Sequence, residues 1–376
     1  PSSSPSSSSS SSSFHSSFIS SAPSCLPSSL RLVLVLVSSL SSPLRARSAL
    51  LSEYRKCARC SPLSHLSSKM EIVKVQDLIL TRLEKNVESD QACQNVFLYN
   101  HGFPDASVTP DALMLFKQGV PTPDHCFFAS RFPRKLCEHL LKKFDRSVFV
   151  AFNTRGIPGS SAQEFDAERA SEAPPEFVSK TLTGDMQDIA AVVSFCCQRF
   201  SNSRLFICGL STGAFLSLAY AASKELHPPG DPVAGCFTFA CVDDIPGSVA
   251  LDFSEDQVKE AKEKGFCYKE FFPFGCPDNP QRWKLSKDYI DSYSSFPGPQ
   301  ELARDLQVPL LILHGSEDRH VPPQHAERLF EVLRAHENNA DLVELALVPK
   351  GNHFLSSTSA LNKALKEVES FIKRRT

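Results

Sequence analysis

The sequence predicts an α/β fold: a mostly parallel, doubly wound sheet with helices on both faces and a small segment inserted over one end. Three observations predict it. Short apolar runs such as Ser147–Phe152 (SVFVAF) do not alternate with polar residues, so both of their faces are buried. These runs alternate with stretches whose apolar residues recur at helical spacing, as Ile189, Val192, Val193, Cys196 and Phe200 do. At one strand-to-helix junction stands Gly209-Leu210-Ser211-Thr212-Gly213, a turn that can carry chemistry as well as geometry.

The elements follow in order. Asn95–Asn100 (NVFLYN) is the first strand. A helix is predicted over 133–144, with Pro133 in its first turn and Leu136, Leu140, Leu141 and Phe144 on one face. SVFVAF is the next strand, and the next helix spans 185–200. RLFIC (204–208) is a strand, and 214–226 is a helix that Pro228, Pro229 and Gly230 stop. Further strands are predicted over 236–241, 309–314 and 342–348. A helix through Leu329, Val332 and Leu333 separates the last two, and a closing helix carries Leu361, Leu365, Val368 and Ile372. Residues 243–306 break the alternation; rich in Phe and Pro, they read as a lid inserted before the next strand–helix unit. The connection 104–131 is a second long segment able to border a site.

Composition narrows the function classes. A chain of 376 residues supports one large domain, and 41% hydrophobic content is ordinary for a globular protein. The formal net charge of −2 gives no electrostatic footprint for nucleic acid. The 13 cysteines are odd in number, and Cys208 and Cys241 sit inside apolar runs, which points to reduced thiols in a reducing compartment. Cys57 and Cys60 form a single C-x-x-C with only His65 nearby, too few ligands for zinc, so no metal is expected. No G-x-G-x-x-G or P-loop pattern stands at a strand–helix junction, so no organic cofactor is expected either.

Residues 1–69 differ from the rest. They are Ser-rich, carry no acidic residue before Glu53, and cannot bury enough apolar surface to fold. The apolar run 30–37 is too short to span a bilayer, so no stable membrane span is expected. Folded-looking sequence begins right after Met70, which favours an upstream leader absent from the mature protein and a cytoplasmic location; a truncated organelle-targeting segment is the alternative. Glu71 after Met70 offers no glycine for myristoylation. The domain itself is expected over 70–376, with the lid at about 243–306.

The five-residue turn follows the strand RLFIC and opens the helix AFLSLAY, the context a nucleophile elbow requires. Glycine at 209 and 213 relieves crowding around a serine forced into an unfavourable backbone conformation. From about Asn95 to the C-terminus the chain resembles the α/β-hydrolase superfamily, whose triad follows in the order Ser, Asp, His. The resemblance implies that Ser211 is the nucleophile. It implies that Asp318, just beyond the strand PLLILH with Val321-Pro322 three residues on, is the acid that orients the histidine. It implies that His353, in Pro349-Lys350-Gly351-Asn352-His353-Phe354 after the last strand, is the general base. Glu317, or Asp243 and Asp244 after CFTFAC, are alternative acids, and His320 is a rival base. His101-Gly102-Phe103-Pro104 resembles the family's oxyanion turn, which assigns the backbone N–H groups of Phe103 and Thr212 as oxyanion donors. Arg155-Gly156-Ile157-Pro158-Gly159-Ser160 resembles the family's R-G-x-G-x-S stretch but has Pro158 in place of glycine, with Gly159 one place late and Asn153 where aspartate is common.

The H-G-F-P stretch also resembles epoxide hydrolases and haloalkane dehalogenases, which use an aspartate nucleophile; serine at 211 directs the chemistry to acyl transfer to water instead. The expected partner is a small acyl ester or a peptide. Phe253, Phe266, Phe271, Phe272, Phe274 and Trp283 in the lid suggest an apolar acyl chain, as in monoacylglycerol lipases and related esterases. Thioester cleavage is a further option. A serine aminopeptidase-like peptidase is the enzymatic rival and would need an acidic residue to hold a substrate amine, with Glu255, Asp256 and Glu270 as candidates. A catalytically silent binding module stands beside both. Oligomeric state is not legible.

Overall fold

The computed structural model describes residues 69–77, 79–103, 105–108, 130–162, 172–230, 233–271 and 281–375. Contacts divide the chain into units 1–64 and 65–376, and every described residue belongs to the second. The leader, with Cys57, Cys60 and His65, lies outside the described residues, as does most of the connection 104–131.

The main sheet is built from β1 (Lys69–Val75), β2 (Ile79–Lys85), β3 (Asn95–Asn100), β4 (Ser147–Phe152), β5 (Arg204–Leu210), β6 (Val233–Phe239), β9 (Leu310–Gly315) and β10 (Val343–Val348). Their spatial order is β1-β2-β4-β3-β5-β6-β9-β10. Only β2 runs against its neighbours, and every pairing from β4 through β10 is parallel. β3 lies between β4 and β5, so the chain leaves it in one direction and returns on its other side. That reversal opens a crevice at the carboxyl ends of β3 and β5, where ligands of such sheets bind.

Successive residues of each central strand point to opposite faces, and both faces are covered. Val96, Leu98, Val148 and Ile207 pack with Ile189 and Val192 of α2 (Leu182–Arg199) and Phe215 and Leu218 of α3 (Thr212–Ala222). Phe97, Phe149, Phe206 and Phe237 pack with Leu136 and Leu140 of α1 (Arg131–Lys143) and with the helix Thr358–Lys373, through Leu361 and Phe371. The predicted parallel sheet is present. β1 and β2 carry no such signal in the sequence, because β2 (ILTRLEK) places Arg82, Glu84 and Lys85 among its apolar residues. Arg82 and Glu84 are buried and form an ion pair, which allows a charged stretch to lie inside the sheet.

The 243–306 segment holds its own two-stranded antiparallel sheet, β7 (Phe266–Phe271) with β8 (Gln281–Ser286). Before it comes the helix Glu255–Lys264, started by a Ser254/Gln257 capping box and ended by Gly265 at φ 78°. Phe253 and Trp283 are fully buried, with Tyr289 and Tyr293, around Phe103 and Phe177. Phe103 stacks on Tyr289 at 4.3 Å between centroids, and the Lys269 ammonium sits 4.6 Å from the Phe253 ring. These aromatics are therefore core, not an open lining for an acyl chain. Phe266 is half-buried, and the side chains of Phe271, Phe272 and Phe274 lie outside the described residues.

Candidate active site

β5 ends at Leu210 and α3 begins at Thr212, so Ser211 alone makes the turn, at φ 57° and ψ −125°. A non-glycine residue there costs about 1–3 kcal/mol and persists only where its surroundings impose it. Here they do. The Ser211 N–H donates to Phe239 O (2.9 Å), and its carbonyl accepts from Ala214 (2.9 Å) and Phe215 (3.2 Å). Gly213 is required by close approach, since a Cβ on it would lie 2.2 Å from the carbonyl oxygen of His101. Thr212 occupies the first helical position, where the backbone N–H has no intrahelical acceptor.

The loops after β9 and β10 press together: a Cβ on Gly315 would lie 2.3 Å from Gly351 O, and Glu317 N–H donates to that same oxygen at 2.9 Å. This contact brings Asp318 to His353, whose Nδ1–H donates to Asp318 Oδ2 at 2.8 Å. Asp318 Oδ1 accepts the backbone N–H groups of His320 (2.9 Å) and Val321 (3.0 Å). Burial alone would raise the Asp318 carboxyl, but hydrogen bonds from His314, His353 and Val321 hold it well below the usual carboxylate range. A fixed anion on Nδ1 leaves Nε2 of His353 free to take a proton. His314, not singled out in the sequence, donates through Nε2 to Val321 O (2.8 Å) and lies 3.4 Å from Asp318 Oδ2. Its sequence signal was a histidine ending an apolar strand four residues before the acid.

The alternatives lie elsewhere. Glu317 is exposed. Asp243 is held by His325 Nδ1 (2.5 Å) and Arg328 Nε (2.6 Å), and the Asp244 carbonyl accepts the Ser248 hydroxyl. The exposed His320 ring stands 5.3 Å from the His353 ring, and only its backbone serves Asp318. Glu255, Asp256 and Glu270 are exposed.

The turn after β3 packs on the elbow, since a Cβ on Gly102 would lie 3.3 Å from Ser211 Cβ. Asn100 Nδ2 donates to Ser217 Oγ and Ser217 Oγ to Gly213 O, both at 2.7 Å, tying the end of β3 to α3. Thus the turn that carries Phe103 and the start of α3 meet in one packed junction beside Ser211. Burial pushes His101 down to about 4, with the nearby charge of Lys180 adding to that and a hydrogen bond to Gly102 opposing it. The departure at Asn153 has a physical reason. Its Nδ2 donates to Val108 O (2.7 Å) and Pro158 O (3.0 Å), which an aspartate could not do. Gly156 and Gly159 both sit at positive φ, 81° and 86°, so the turn takes its second left-handed residue at 159.

Burial also pushes up two carboxylates that the sequence did not single out: Asp105, where the charge of His353 opposes it, and Asp252, where the Tyr293 hydrogen bond and the charges of Lys269 and His353 do. Asp105 keeps access to solvent; Asp252 Oδ2 accepts the Tyr293 hydroxyl at 2.6 Å. Among the described residues no group of three or more His, Cys, Asp or Glu side chains could hold a metal ion, and no helix is long and apolar enough to cross a membrane.

Residues 254–376 match the prolyl oligopeptidase family. No curated protein matches the chain. Among solved structures, Est1E from Butyrivibrio proteoclasticus superposes with a TM-score of 0.52 at 14% identity, covering 81% of this chain and 98% of that one. An acylaminoacyl peptidase from Pyrococcus horikoshii gives 0.51 at 17% identity, covering 84% of this chain and 42% of that one. A Pyrococcus furiosus esterase gives 0.50 at 14% identity, over 82% and 91%. Sheet order, switch-point crevice and these likenesses agree, and the chain has the α/β-hydrolase fold.

Proposed function

We propose that the protein is a serine hydrolase that cleaves a carboxylic ester or thioester through an acyl-enzyme on Ser211. The observation that carries this reading is the 2.8 Å hydrogen bond from His353 to an Asp318 carboxylate held ionised, in a fold that also sets Ser211 on an elbow between strand and helix. Ser211 Oγ attacks the acyl carbon while His353 Nε2 takes its proton. The oxyanion is held by the N–H groups of Phe103 and Thr212, each worth about 3 to 4 kcal/mol. Collapse expels the alcohol or thiol with the proton from His353. Water, deprotonated by the same nitrogen, then releases the acid and restores Ser211. Asp318 keeps the imidazole in the tautomer that does this and stabilises the imidazolium.

A peptidase reading has its own support: the family match over 254–376, and the Asp105 carboxylate beside the Gly102 turn as a group that could hold a substrate amine. The deciding experiment treats the full chain and its Ser211→Ala variant with a fluorophosphonate, maps the label by mass spectrometry, and then compares graded acyl esters with aminoacyl amides. Labelling at Ser211 in the unmutated protein alone supports the hydrolase; a well-folded protein that takes no label points to a binding module.

A further inference from the structure

Behind the oxyanion turn runs a buried chain of polar groups that acyl transfer does not itself use. The Lys180 side chain is 1% exposed. Its ammonium donates to Thr154 Oγ1 (2.7 Å), Arg155 O (2.9 Å) and Asp185 Oδ1 (2.5 Å), which occupies all three of its protons. Lys180 and Asp185 bracket the N-terminus of α2, whose N-cap is Thr181. From Thr154 the chain passes to His101: the Thr154 backbone N–H donates to His101 Nε2 at 3.1 Å, and the Thr154 hydroxyl lies 3.2 Å from the same nitrogen.

A backbone N–H can only donate, so Nε2 carries no proton and the ring proton sits on Nδ1. That Nδ1–H donates to Gly102 O at 2.8 Å, and the Asp105 N–H donates to the same oxygen at 2.9 Å. The Gly102 carbonyl and the Phe103 N–H belong to one planar trans peptide and point in opposite directions. Whatever holds that carbonyl therefore aims the N–H. A doubly protonated His101 would set a second N–H against that of Thr154 and break the chain at that point.

A buried lysine–aspartate pair is not needed for packing, since apolar side chains of similar volume would fill the space at equal or lower free energy. Its particular contribution is directional. The ammonium occupies a lone pair of the Thr154 oxygen and so fixes the residue whose backbone N–H meets His101 Nε2, and its charge opposes a second proton on the ring. We propose that Lys180, braced by Asp185, is a positioning residue of the oxyanion hole: through Thr154 it keeps His101 neutral and protonated at Nδ1, and so aims the Phe103 N–H beside Ser211. This deepens the serine-hydrolase reading and rests on it.

The test uses the full chain, Thr154→Val, and the double variant Lys180→Met with Asp185→Leu, which removes both charges and leaves neither unpaired. Ester kinetics are measured on folded protein, with the 15N imidazole shifts of His101 recorded beside them. The expected result is a kcat lower by about 10- to 100-fold with KM nearly unchanged, together with a shift of the His101 ring nitrogens as the hydrogen bond from the residue-154 N–H loosens. Should the double variant fail to fold, the near-isosteric Thr154→Val decides alone. Unchanged kcat in a folded variant, or unchanged His101 imidazole shifts, overturns the proposal. Absence of fluorophosphonate label on unmutated Ser211 would instead sink the serine-hydrolase reading, and the imidazole shifts would still report on the buried chain.

Discussion

On one side of the crevice, Asp318 is held by groups from its own loop, from the strand before it and from the loop after β10: the N–H groups of His320 and Val321, the His314 ring and His353. On the other side, the Gly102–Phe103 peptide is held by residues from separate stretches of chain: His101, Thr154, Lys180 and Asp185. The first side is a local device that a short motif can encode. The second is assembled by the sheet, which places the ends of β3, β4 and β5 side by side. A local device should fail one residue at a time, whereas an assembled one should fail through residues that never touch substrate.

The largest expected effects probe the local side. Ser211→Ala should abolish fluorophosphonate labelling, and Ser211→Ala or His353→Ala should lower ester kcat on the order of 10⁶-fold. Asp318→Asn should cost on the order of 10⁴-fold, because the histidine loses its tautomer partner. The same variant tests linkage. The Asp318 carboxyl is held below its ordinary 3.8, so it contributes stability above that pH and loses it as pH falls. Acid melting curves of Asp318→Asn should therefore slope less steeply below pH 3.8 than those of the parent.

The assembled side is probed next. Gly213→Ala forces a Cβ to within 2.2 Å of the His101 carbonyl, so it should cost about 1–3 kcal/mol of stability and separate the two halves of the site. Chemical unfolding and labelling should both report it. His101, held at about 4 against 6.5 unfolded, is protonated first in the unfolded chain, so native stability falls as pH drops through that window. His101→Gln should flatten that slope, by up to about 3 kcal/mol. Asp185, which burial pushes up to about 6, acts in the opposite sense, since the folded state takes its proton first. The double variant lacking both Lys180 and Asp185 removes that opposing contribution together with the Lys180 charge that helps to hold His101 low.

The smallest effect is a control. Glu317→Gln and Asp243→Asn should leave labelling and kcat within about two-fold, because Glu317 is exposed and Asp243 is engaged by His325 and Arg328. A large loss in either would move the acid away from Asp318.

How much was legible follows the same division. The parallel strands, their helices and the Gly209–Gly213 turn could be read because apolar runs and glycines state local requirements. β1 and β2 could not, since Arg82 and Glu84 satisfy one another only once the sheet forms. The candidate triad residues stood out through flanking motifs. His314, Asp105, Asp252, Lys180 and Asp185 did not, because a buried histidine, aspartate or lysine looks in sequence like any solvated one. The lid aromatics illustrate the reverse case: Phe253 and Trp283 look like a substrate surface in sequence and are core in the fold.

The sequence by itself determined the strand–helix alternation and the residue types available to the site, since hydrophobic period and backbone sterics act over a few residues. Only the tertiary structure decided which aspartate meets His353, which aromatics are buried, and what stands behind the Gly102–Phe103 peptide. Those outcomes depend on strand order, which brings residues far apart in the chain within hydrogen-bonding distance and removes the water that would otherwise satisfy them.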